Sequence, residues 1–154
     1  MDTDIHKTVF VPWMPQEAFH LFVNCIGEWW PLDTHSLADK QKGERATNIV
    51  IEPHAGSPFY EVLADGQHKK WGDVLRYKQG EDLLLSWRLC GPVAQETEVE
   101  VIFSTAGAQT KIDLFHRHFK RFGEKAAEKQ DCYDKGWDGV LAKFISFSKT
   151  HLAA

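Results

Sequence analysis

Two ionisable residues fall where an interior acid–base or ligand contact could be made. Residues Thr110–His118 alternate, with Ile112, Leu114, His116 and His118 on one face and Lys111, Asp113 and Arg117 opposite. An imidazole on the dry face could orient a ligand carbonyl, or transfer a proton near neutral pH. The plainer role for His116 is a buried histidine satisfied by a neighbour. Glu61 has the same parity as Phe59. A carboxylate on that face needs a partner. Together Glu61 and His116 would make an acid–base couple or a structural bond; the sequence does not place them in contact.

Four of the six tryptophans, Trp30, Trp71, Trp87 and Trp137, are candidates to line a ligand cavity together with Phe59. An indole offers a large apolar face and one N–H handle. The alternative for each is plain core. Other chemistry finds little support. His116-Arg117-His118 would set two imidazoles on one strand face, but no cysteine or histidine pair at ligand spacing exists to complete a zinc site. Cys25, Cys90 and Cys132 show no metal spacing, and neither Cys90 nor Cys132 has an evident activating partner. Neither a Gly-x-Ser-x-Gly elbow nor a phosphate-binding glycine loop is present, so no metal or cofactor is expected.

The elements that must position these residues follow from periodicity. Residues 5–12 read as a strand ended by Pro12, and Pro15 suits a first helical turn. Ala18, Phe19, Phe22, Val23 and Ile26 recur at helical spacing, although Met14 is a poor N-cap. Gly27 breaks that pattern, and Glu28-Trp29-Trp30-Pro31 predicts a second short helix. Residues 32–43 are polar and predict a loop. Strands follow at Thr47–Glu52, Pro58–Leu63, Lys69–Tyr77, Leu83–Leu89, Glu96–Ser104 and Gln109–Phe119, with turn residues between them. Short turns imply antiparallel pairing. A helix from about Glu124 to Lys149 carries the stripe Tyr133, Trp137, Val140, Leu141 and Phe144. All central strands precede it, so the class is α+β. Seven strands must curl, and the long helix fills the concave face.

Composition bounds the function. The 154 residues fit a single domain, 1–154. A formal charge of −4 argues against nucleic acid as a partner and against a polybasic membrane patch. No apolar run approaches the ~18 residues of a membrane-spanning helix. The acidic start shows no secretory signal, and the odd cysteine count suits reduced thiols, so a cytoplasmic location is expected.

The ordered marks of the chain resemble a known family. They are Pro15 with Ala18-Phe19; Glu28-Trp29-Trp30-Pro31; Ile51-Glu52-Pro53, then Gly56 and Phe59-Tyr60-Glu61; Trp71-Gly72-Asp73-Val74; Leu85-Ser86-Trp87; Thr97-Glu98-Val99; Thr110 with Leu114 and His116; and Gly136-Trp137 with Leu141. Over roughly residues 5–149 the chain resembles the START-like (SRPBCC) superfamily, of helix-grip or Bet v-type fold. Within it, it is similar to the branch named after the activator of the heat-shock-protein ATPase, which includes antibiotic self-resistance proteins. Relatives carry two glycines before the Phe59 strand, whereas here Gly56 is followed by Ser57-Pro58, which predicts a stiffer entry.

The resemblance implies two short helices after strand 1, a curved seven-stranded antiparallel sheet around the C-terminal helix, and a cavity between sheet and helix. Members of the superfamily use that cavity for lipids, polyketides or other apolar molecules, and some catalyse cyclisation or dehydration there. The expectation is therefore a binding module for a small apolar molecule, as monomer or homodimer. Its alternatives are a cyclase, dehydratase or hydrolase using His116 and Glu61, or an interaction protein of the chaperone-activator kind. The separate N-terminal domain of the co-chaperone is not seen in this sequence.

Overall fold

The computed structural model describes residues 4–88 and 93–150. The expected end of a strand at Leu89, and Cys90 with the turn Gly91-Pro92, lie outside the described residues. Seven strands are found: β1 Ile5–Val11, β2 Ala46–Ile51, β3 Pro58–Leu63, β4 His68–Lys78, β5 Asp82–Trp87, β6 Thr97–Ala106 and β7 Gln109–Arg117. They pair antiparallel in the order β1-β7-β6-β5-β4-β3-β2. Consecutive strands from β2 to β7 are neighbours, as short turns require, and β1 closes the far edge against β7.

The sheet bends at places the alternation does not announce. Phe59 pairs with Gly72 and Tyr60 with Lys70, so Trp71 is the extra residue of a bulge in β4. Leu75 and Thr47 are extra in the same way. Bulges bend a strand and re-aim its side chains, and here one of them aims Trp71 inward, where it is 2% exposed. Gly72 beside it has no room for a side chain, since a Cβ there would sit 2.0 Å from the Ser86 carbonyl oxygen. Ahead of β3, Gly56 has φ +91° and its N–H donates to the Val74 carbonyl, while the Val74 N–H donates to the Ser57 carbonyl.

Between β1 and β2 the chain forms α1, Pro15–Phe19, a π-helical turn at His20–Asn24, and α2, Ile26–Trp29. Met14 supplies no side-chain cap, as its type predicts. The second helix ends one residue before Trp30 rather than spanning Glu28–Pro31. Phe19 and Phe22 from this segment meet Phe103 of β6 edge to face, with centroids 5.1 and 5.8 Å away, and Phe22 meets Phe144 at 4.8 Å. These rings close one end of the core.

Strand β7 ends earlier than its sequence pattern suggests. His118 has φ +78°, a left-handed conformation, which turns the chain so that Phe119 enters the core at 1% exposure. The His118 side chain instead meets Glu98 at 3.1 Å. The reading of His116 and His118 on one strand face is therefore corrected. No cluster suited to a metal occurs among the described residues. A 3-10 segment, Phe119–Lys125, leads into α3, Ala126–Thr150, whose buried residues are Trp137, Val140, Leu141, Phe144 and Ser148. At 1.5 Å per residue its 25 residues span ~38 Å. Lys7 of β1 pairs with Asp134 and Asp138 at 2.9 and 3.0 Å and ties α3 to the sheet edge. No described helix is long and apolar enough to cross a membrane.

Candidate functional site

Opposite the phenylalanine end of the core, the four tryptophans gather into one box. Trp30 follows α2, Trp71 is the β4 bulge residue, Trp87 ends β5 and Trp137 is the inward face of α3. Ring centroids lie 5.2 Å apart for Trp30 and Trp71, 5.5 Å for Trp71 and Trp87, 5.4 Å for Trp87 and Trp137, and 5.9 Å for Trp30 and Trp137. These separations suit edge-to-face and tilted aromatic packing. The box bounds a cavity of about 170 Å³ lined by Trp30, Thr34, His35, Ser36, Leu37, Trp71, Trp87, Tyr133, Gly136, Trp137 and Val140. A smaller void of about 20 Å³ lies deeper, and Phe59 lines that one with Trp30, Trp71, Trp87 and Trp137.

Glu61 and His116 are both fully buried and do not touch each other. They stand behind the rings and hold them. Glu61 Oε1 accepts from the Trp71 indole at 2.7 Å and from the Leu37 backbone N–H at 2.5 Å. Its other oxygen has no partner. His116 Nδ1 accepts from the Trp137 indole at 3.0 Å. An indole can only donate, so Nδ1 carries no proton and Nε2 carries it. Nε2 then donates to Thr97 Oγ1 at 2.8 Å, and Thr97 donates onward to the Trp87 carbonyl at 3.1 Å. Burial without a nearby counter-charge lowers the His116 pKa from 6.5 to about 3. The ring is therefore neutral and fixed in one tautomer.

The outer wall is a loop, residues 31–45, that the sequence marks only as polar. Its fastenings are specific. The Trp30 indole donates to the His35 carbonyl at 2.7 Å, and Lys69 Nζ donates to the Leu37 carbonyl at 3.0 Å and to Glu44 at 2.6 Å. Leu37 is thus held at both its N–H and its C=O, from neighbouring residues of β3 and β4. On the helix side, Gly136 leaves space at the cavity wall, the nearest atom to a Cβ there being His35 Nε2 at 3.9 Å. Burial raises the Tyr133 phenol above its ordinary range, while the Trp87 N–H nearby pulls it back in part.

Sequence reasoning missed Thr34, His35, Ser36 and Leu37, because a polar loop carries no periodicity. It found Tyr133 as a stripe residue of the helix and Gly136 as part of a motif, without assigning either to the cavity.

No protein-family model matches the chain, and no curated protein matches it. Solved structures do. The self-sacrificing resistance protein CalC from Micromonospora echinospora is 25% identical, with TM-score 0.68, over 97% of this chain and 96% of that one. The anthrahydroquino-γ-pyrone synthase Txn09 is 26% identical, with TM-score 0.62, over 93% of this chain and 95% of that one. The Aha1 dimer from Colwellia psychrerythraea shares the fold at 14% identity and TM-score 0.63, over 91% of each chain. With the curled seven-stranded sheet, the gripped C-terminal helix and these likenesses, the chain has the helix-grip fold and resembles the START-like (SRPBCC) superfamily, its Aha1-like branch included.

Proposed function

We propose that the protein binds one small, mainly aromatic molecule in the tryptophan box between the sheet and α3. The observation that carries this reading is the cavity itself: about 170 Å³, walled by the packed indoles on one side and by residues 34–37, Tyr133, Gly136 and Val140 on the other. An apolar cavity of ~150 Å³ admits benzene, and drug-sized sites run to ~300–1,000 Å³. One or two fused rings therefore match this volume, and a larger polyketide-like framework would have to displace the 31–45 loop. The name of Txn09 speaks of a fused aromatic product, which supports an aromatic ligand class.

Binding is favoured over proton transfer by the way His116 is held. Both its nitrogens are engaged, and taking up a proton at Nδ1 would break the bond to Trp137. Glu61 likewise spends one oxygen on Trp71 and Leu37. Both residues support the cavity wall in this reading rather than contacting the ligand.

Native mass spectrometry of the purified protein, followed by calorimetric titration with a panel of one- and two-ring aromatic compounds, tests the proposal. The expected result is saturation at one ligand per chain, with binding weakened by about tenfold or more in Trp137→Ala. If no panel member binds up to its solubility limit and none co-purifies, the tryptophans are plain core and the proposal fails.

A further inference from the structure

An indole N–H is a donor that needs an acceptor once buried. Three of the box tryptophans have one: the His35 carbonyl for Trp30, Glu61 for Trp71 and His116 for Trp137. Trp87 Nε1 has none, although the residue is only 6% exposed. Its ring is packed against Trp30, Phe59, Trp71 and Trp137, none of which can accept, and against His116, whose one acceptor nitrogen is taken by Trp137. Among the polar groups of the wall, the Tyr133 hydroxyl lies near this N–H without completing a hydrogen bond, and both residues line the cavity.

We infer that Trp87 Nε1–H is the polar anchor of the cavity. Its ligand is then a neutral one- or two-ring molecule bearing a carbonyl-type oxygen at its edge. This deepens the binding reading above and rests on it. A carbonyl oxygen has two lone pairs, one for the Trp87 N–H and one for the Tyr133 O–H. The same walls select against an anionic oxygen. Among the described residues the lining holds no lysine or arginine, and the Glu61 side chain stands directly behind Trp71. A carboxylate entering here would be stripped of water with no lysine or arginine to meet it. Only a neutral acceptor satisfies the donor without that loss.

The test compares 1-tetralone with tetralin by isothermal calorimetry. The two share a fused-ring skeleton and differ by the carbonyl. Without an anchor the more hydrophobic tetralin binds at least as well. With it, tetralone binds about tenfold tighter. In Trp87→Phe the ratio of tetralone to tetralin affinity falls to one or below, whatever the change in tetralin affinity itself. Trp87 donates to nothing in the structure, so this variant loses no internal hydrogen bond of the indole. Should it fail to fold, one indole ¹H–¹⁵N signal of the wild-type protein still reports: it moves downfield with tetralone and stays in place with tetralin. Equal binding of the two compounds, a preference that survives Trp87→Phe, or an indole spectrum that tetralone leaves unchanged overturns the anchor and leaves the aromatic cavity standing. Failure of both compounds to bind overturns the cavity reading itself.

Discussion

His116 sits among Trp87, Phe119, Tyr133 and Trp137, with ring centroids 4.6–6.1 Å away and no carboxylate to welcome a proton. Its pKa falls from 6.5 to about 3 on folding because burial penalises the charged ring. The folded state therefore binds a proton later than the unfolded chain does, so its advantage is complete above pH 6.5 and lost as pH falls towards 3. Across that window stability drops by about 1.4 kcal/mol per pH unit on account of this one group. His116→Gln, which keeps an acceptor for Trp137 and a donor for Thr97, removes that slope. Urea unfolding at intervals between about pH 6 and 4.5 checks it; parallel pH profiles for the two proteins would contradict it. Lower pH is avoided because Glu44, held below its ordinary range chiefly by Lys69, and Asp113, held down by His6 and Thr8 against its own burial, begin to titrate there. The inward parity of His116 and Glu61 was legible from alternation. What they face was not, since Trp137 and Trp71 reach them from sequence separations of 21 and 10 residues.

At the scale of elements, the same substitution carries opposite signs in two places. In β4, Gly72 lies against the β5 backbone, and a Cβ would meet the Ser86 carbonyl oxygen at 2.0 Å and its carbon at 2.8 Å. Backbone cannot swing aside as a long side chain does, so Gly72→Ala costs about 2–3 kcal/mol. In α3, Gly139 has nothing within 4 Å of a Cβ. Gly139→Ala therefore gains up to about 1 kcal/mol of helix propensity. Chemical denaturation of the two variants checks both signs, and a neutral Gly72→Ala would refute the close approach. The strands themselves were legible, and β6 and β7 alternate buried with less buried residues as their sequences do. The bulges were not. Trp71 and Leu75 each shift the pairing by one residue, and a bulge depends on the partner strand, which a single segment does not reveal. The turn at His118 escaped for a related reason: a left-handed non-glycine residue breaks the local rule that would have continued β7 to Phe119.

For the whole molecule, the sheet and α3 supply one side of the cavity wall and the 31–45 loop supplies the other. The class and order of elements were legible from the ordered sequence marks. The loop was not, because its structure comes from fastenings made by β3 and β4 rather than from its own periodicity. Lys69 is the central fastening, joining the Leu37 carbonyl to Glu44, whose Oε1 also accepts from the Asp39 N–H at 2.8 Å. The ion pair is partly exposed, with side chains 27% and 20% accessible, so its loss costs the fold little. Its loss to the loop is greater in kind, since Leu37 then keeps only its bond to Glu61. Lys69→Met retains the aliphatic stem while releasing both contacts. Backbone amides of residues 36–44 should then exchange with solvent about tenfold faster, with the rates in β5 and β6 unchanged. Ligands larger than the cavity of about 170 Å³ should associate faster, whereas a two-ring compound that fits beneath the closed loop should bind within about threefold of its wild-type affinity. Unchanged exchange in the loop would mean that Lys69 does not fasten it. Faster exchange with no gain in association of large ligands would mean that they enter elsewhere, and the free space beside Gly136 on α3 would then be the route to test.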